Sequence, residues 1–80
     1  MRLDKYLKVS RIIKRRTVAN DACDAAHVSV NGRVVKASYD VKVGDVLELR
    51  FGEKTMRAEV LKISEHVGKD AAAELYKVLQ

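Results

Sequence analysis

The sequence predicts a small α+β domain in which two N-terminal helices pack on a mostly antiparallel sheet and a short helix closes the chain. Three observations carry that expectation. Leu3, Tyr6 and Leu7 recur at helical intervals within residues 2–9, while Arg2, Lys5 and Lys8 project to the other side. The run Val28-Ser29-Val30-Asn31-Gly32-Arg33-Val34-Val35 places Asn-Gly between β-branched residues, a strong hairpin signal. Residues 46–51 alternate, with Val46, Glu48 and Arg50 on one face and Leu47, Leu49 and Phe51 on the other.

The elements follow in order. After the first helix, residues 10–16 either extend it or form a basic connector, with Ile12 and Ile13 as its anchor to the core. Thr17 offers a side-chain oxygen to cap a second helix over residues 18–25. In that helix Asp21 and Asp24 face solvent, and Val18, Ala22, Cys23 and Ala26 face inward. The Asn31-Gly32 turn needs positive φ at both positions, which sets Val30 opposite Arg33 and Val28 opposite Val35. Val43-Gly44-Asp45 turns the chain into the alternating strand, and Gly52-Glu53-Lys54 turns it back into residues 55–63. There Met56, Ala58 and Val60 share a face that Leu61 and Ile63 close off. Gly68-Lys69-Asp70 leads, with Asp70 as cap, into a final helix from Ala71 to Leu79 whose stripe is Ala72, Leu75, Tyr76 and Leu79. Residues 1–65 thus form the domain, and 66–80 are its helical extension.

Eighty residues make one domain with room for a Leu/Ile/Val core and none for a deep substrate cleft. Seven of the first sixteen residues are Arg or Lys, against the single acid Asp4. The other 64 residues hold 9 basic and 10 acidic side chains, so the net charge of +5 belongs to the N-terminal end. A gradient this steep predicts a polyanionic partner docked there. An anionic membrane fits poorly, because closely spaced charges leave too narrow an apolar face. DNA fits poorly too, since the second helix carries Asp21 and Asp24 where a groove-reading helix needs donors.

Nothing in the composition assembles a catalytic centre. His27 and His66 stand far apart, Cys23 is the single cysteine, and Gly32, Gly44, Gly52 and Gly68 are isolated from one another. No metal-ligand spacing, disulfide or phosphate-cradling loop follows from these. The expectation is a binding module with no cofactor. The opening residues show no long apolar stretch or small-residue cleavage site, which predicts a cytoplasmic protein.

The ordered set Arg2-Leu3-Asp4-Lys5-Tyr6-Leu7, Arg15-Arg16-Thr17, Val28-Ser29-Val30-Asn31-Gly32 and Val43-Gly44-Asp45 resembles the RNA-binding domain family named after ribosomal protein S-four. That family's pattern is an R-L-D-x-x-L opening, an S-R-S/T start to the second helix, a V-x-V-N-G hairpin and a P-G-D turn. The resemblance implies the S-four-like (alpha-L) fold. With about 80 residues and Lys8 to Thr17 reading K-V-S-R-I-I-K-R-R-T, the chain is most similar to the free-standing RqcP group among the heat-shock S-four-type proteins.

That likeness implies binding to large ribosomal subunits obstructed by peptidyl-tRNA, with ribosomal RNA and tRNA as partners. It also implies support of a factor that tails the stalled peptide, and a monomer away from the ribosome. Alternatives are a protein–protein adaptor built on the C-terminal stripe, or a module for heat-shock subunit recycling. Arg2, Lys5 and Arg16 match the family's RNA-facing positions. Lys8, Arg11, Lys14, Arg15 and Thr17 extend that surface, and Asn31, Arg33 and Lys36 lie on the hairpin side. A-form RNA hides its base edges in a deep groove, so such a surface reads shape, phosphate and 2′-OH. Asp4 serves to orient a neighbouring Arg. Three positions depart from the pattern: Ala26 where Gly is usual, His27 where Arg is common, and Val43 where Pro is frequent.

Overall fold

A computed structural model describes residues 1–79. Helix α1 (Leu3–Val9) and helix α2 (Arg16–Asp24) lie against one face of a sheet. Its strands are β1 (Val28–Val30), β2 (Arg33–Val34), β3 (Val46–Phe51), β4 (Lys54–Val60) and β5 (Tyr76–Leu79), with one helical turn, α3 (Lys69–Ala72), between the last two. The spatial order of the described strands is β2-β1-β3-β4-β5, each neighbouring pair antiparallel. The core joins Leu3, Tyr6 and Leu7 of α1 to Ala19 and Cys23 of α2 and to Val28, Val30, Leu47, Leu49 and Val60 of the sheet. A fully buried Leu of this kind is worth roughly 1.5–3 kcal/mol.

The hairpin forms as its sequence dictates. Asn31 and Gly32 have φ of 52° and 83°, the two left-handed positions of a type I′ turn, and Val30 faces Arg33. The ladder stops at Ser29–Val34, so Val28 does not pair with Val35; it pairs instead with Leu49 of β3. The β3 alternation is also observed, with Leu47 and Leu49 buried. Phe51, at the hairpin tip beyond the core, is half exposed.

The connector between the helices is separate from α1. Ser10 ends the helix, Arg11 takes φ 63°, and the Ile13 N–H donates back to the Leu7 carbonyl at 3.0 Å. Ile13 is buried and Ile12 packs against the core, which is the expected anchor.

Several expectations are corrected. The helix over Ala71–Leu79 is not formed: the chain makes only the turn of α3, with Gly68 rather than Asp70 at its N-cap, and then enters β5. An isolated helix this short is marginal, whereas Tyr76 and Val78 are good strand formers beside the unpaired edge of β4. Leu75 is buried, and its carbonyl accepts the Tyr6 hydroxyl at 2.7 Å. The proposed adaptor stripe therefore does not exist as a helical face. Helix α2 begins at Arg16 with Arg15 as its N-cap, and no side chain caps it, so Thr17 is not the cap. Val18 and Ala26 face outward, because the inward stripe of α2 is Ala19 and Cys23. Strand β4 ends at Val60, leaving Leu61 and Ile63 exposed.

Candidate nucleic-acid interface

The site is organised by a buried acid. Asp4 sits in the first turn of α1 with its side chain 3 % exposed. Its Oδ1 accepts the Lys5 N–H at 2.8 Å and Arg2 Nε–H at 3.2 Å, and its Oδ2 accepts Asn20 Nδ2–H at 3.2 Å. Arg16 Nε lies 3.5 Å from the same Oδ2. One carboxylate thereby ties α1 to α2 and fixes two guanidinium groups that remain about half exposed, at 51 % and 48 %. Burial alone would raise the Asp4 carboxyl's pKa. The hydrogen bonds from Asn20, Arg2 and the Lys5 amide, with the Arg16 charge, outweigh burial and hold it below the ordinary carboxylate value.

The two helix starts differ. At α1 the amides of Leu3 and Asp4 donate to the Tyr39 and Ala37 carbonyls, and Lys5 donates to Asp4, so every first-turn donor is occupied. At α2 the amides of Arg16, Thr17 and Val18 have no partner within the described residues, and no acid lies in its first turn. A helix start with free N–H groups attracts a phosphate. Here it opens beside a groove of about 300 Å³ lined by Asp4, Arg16, Thr17, Asn20 and Asp21. Thr17, free of any capping duty, offers its hydroxyl to that groove.

Other cations gather elsewhere. Lys8, Arg11 and Lys14 line a wider cleft at the far end of α1, facing residues 65–68. Lys5 lies between the groups, its Nζ 3.3 Å from Glu65 Oε1. Arg15 is exposed at the α2 cap. Lys36 precedes Ala37, whose carbonyl meets the start of α1, so it adjoins the Arg2 side of the molecule. Arg33 is exposed on the edge strand β2. Asn31 spends its carboxamide on the fold: Oδ1 accepts the Val46 N–H at 2.9 Å and Nδ2 donates to Asp45 at 3.1 Å. Among the described residues no His/Cys/Asp/Glu group could hold a metal ion, and no helix is long and apolar enough to cross a membrane.

The family model described as S4 domain matches residues 1–47, more than half of the chain and the whole of the groove. The chain belongs to the S4-domain family. Its full-length relatives include the RQC P-site tRNA stabilizing factor of Streptococcus pneumoniae, 51 % identical over 79 residues, which cover 99 % of this chain and 90 % of that protein. The factor of the same name from Bacillus subtilis is 49 % identical over 80 residues, covering 100 % of this chain and 93 % of that one. Among solved structures, Heat Shock Protein 15 of Vibrio cholerae superposes with a TM-score of 0.90 at 32 % identity, covering 99 % of this chain and 81 % of the other.

In this S4 domain the expected role of Asp4 is the observed one. Asn20, which the sequence reading overlooked, has a signal in retrospect: it stands one turn after Arg16 on the same face of α2. Glu65 had none, because its contact with Lys5 spans sixty residues. The departure at Ala26 has a structural consequence. The residue adopts φ 63° where α2 ends, and the His27 N–H closes the helix onto the Ala22 carbonyl at 2.9 Å. Beneath the site the Cys23 thiol is pushed up to about 11, first by burial and then by the charges of Asp4 and Asp24, so it is inert at neutral pH.

Proposed function

We propose that this chain is a non-catalytic RNA-binding factor of ribosome-associated quality control. In this reading it docks on obstructed large ribosomal subunits, contacts ribosomal RNA and the P-site tRNA, and thereby supports tailing of the stalled chain by a partner factor in the cytoplasm. The observation that carries it is the Arg2–Asp4–Arg16 arrangement at the uncapped start of α2, on a chain half identical to P-site tRNA stabilizing factors.

The chemistry is positional. The free amides of α2 and the Thr17 hydroxyl offer donors to a phosphate, while Arg2 and Arg16 approach it from a fixed direction. Asp4 holds Arg2 through both Nε and Nη2 and meets Arg16 at Nε, and both guanidinium groups stay about half exposed, which leaves N–H groups free to donate to RNA. Lys5, Arg15 and Lys36 supply charge beside this centre, whereas Arg33 stands apart on the edge strand β2, on the hairpin that Asn31 holds.

Replacing Arg2 and Arg16 together by Ala should abolish co-sedimentation with large subunits; it also strips buried Asp4 of its two cationic partners, so the melting temperature falls as well and co-sedimentation is read well below it. With about five phosphate contacts the log–log salt slope should lie near −4 to −5, taking ~0.9 per contact. Undiminished co-sedimentation of the double variant would sink the assignment.

A further inference from the structure

The cleft at the far end of α1 differs in kind from the groove at α2. It encloses about 770 Å³, far more than a phosphate needs. One wall carries Lys8, Arg11 and Lys14; the other carries Glu65 and His66. Val9 and Val67 line it as well, and both are only partly buried while packed on the core, so an apolar strip is left open to the cleft.

Arg11 is held in an unusual way. Its φ of 63° is costly for a residue with a side chain, yet the Arg11 N–H to Lys8 carbonyl bond at 3.1 Å and the Ile13 to Leu7 bond at 3.0 Å fix it there. Backbone strain of this sort accumulates at ligand clamps, and here it sets the origin of a guanidinium that lines the cleft.

We propose that this cleft seats one unpaired nucleotide of the bound RNA. Its phosphate lies on Lys8, Arg11 and Lys14, and its base lies over Val9 and Val67 beside the His66 ring. Glu65, whose Oε1 accepts from Lys5, keeps Oε2 to accept a base amino group or a ribose hydroxyl. The inference rests on the reading of the chain as an RNA binder, but adds a ligand class, an extruded single nucleotide, at a cleft more than twice the volume of the groove at α2.

The test uses amide chemical shifts of the whole chain titrated with AMP, CMP and inorganic phosphate at matched ionic strength. The nucleotides should shift Arg11, Val67 and Gly68 well beyond the effect of phosphate. Arg11→Gly removes the guanidinium and suits the left-handed backbone, so it keeps the fold. It should bind nucleotide about tenfold more weakly, the usual worth of one charge-assisted hydrogen bond. The Arg2/Arg16 double variant should keep the nucleotide response in full. Equal responses to phosphate and nucleotide, or none at residues 65–68, would overturn the nucleotide seat. So would a response lost in the double variant but retained in Arg11→Gly; that result would leave the function proposed for the α2 groove intact.

Discussion

Two buried carboxylates, Asp4 and Asp45, illustrate how the same group serves different ends in one small fold. They are 2 % and 8 % exposed, and each accepts hydrogen bonds from side chains and from a backbone amide. Around Asp45 the donors are neutral: Asn31 Nδ2–H at 3.1 Å, the Tyr39 hydroxyl at 3.0 Å and the Lys42 N–H at 3.0 Å. They stitch the β1–β2 turn, the loop before β3 and the start of β3 into one corner, and Tyr39 is made harder to ionise by its bond to Asp45. Around Asp4 two of the partners are cationic and half exposed. The first network closes on itself, whereas the second presents its donors to solvent. A buried acid with neutral donors locks a corner, and one with solvent-facing cations prepares a surface.

The largest effect is expected at Asp45. Asp45→Ala strands the donors of Asn31, Tyr39 and Lys42 and should cost about 2–4 kcal/mol, lowering the melting temperature by at least ~10 °C. Thermal unfolding followed by circular dichroism measures this. A loss no larger than that of an ordinary surface substitution would show that the corner does not depend on its acid.

Asp4→Asn separates orientation from charge. The amide keeps the shape but no longer fixes two guanidinium groups, so affinity for large subunits should fall about tenfold. Removing a negative charge also raises the local positive potential, so binding to an unstructured polyanion at low salt should not fall. Filter binding to both ligands checks the pair. A rise in both would mean that Asp4 merely shields the arginines.

The groove was largely legible in the sequence, because its parts are local: Arg2 caps α1 two residues before Asp4, and Arg16 and Thr17 open α2. The hairpin was legible for the same reason, since Asn-Gly between valines admits few other backbones. The tail was not. Ala71 to Leu79 carries a helical stripe, but its conformation is decided by the edge of β4, which is far away in sequence. Long-range contacts hid the Lys5–Glu65 bridge in the same way. The Arg15 cap and the outward Val18 show a smaller failure: small Ala19, four residues before Cys23, takes the inward position that the larger Val18 was expected to fill.

The pH response sharpens the contrast further. Asp4 has a folded-state pKa below the ordinary value of 3.8, so its contribution is present above that value and is lost as pH falls through the lowered one. The stability gap between the native chain and Asp4→Asn should therefore narrow progressively below pH 3.8. Urea titrations at several acidic pH values read it directly. A gap independent of pH would mean that the ionised form of Asp4 contributes nothing to the native state.

The smallest change lies outside both networks and acts as their control. Ala26 holds φ 63°, where a Cβ is disfavoured and glycine is not, and its side chain is exposed. Ala26→Gly should raise stability by about 1 kcal/mol by relieving that conformation, reduced in part by the greater freedom glycine gives the unfolded chain. Neither Asp4 nor Asp45 contacts this helix end, so affinity for large subunits should not change. If the variant gains stability and binds as before, the losses in Asp4→Asn reflect the orientation of two arginines rather than a looser domain. If binding strengthens along with stability, affinity tracks rigidity of the fold, and the distinction between the two acids fails.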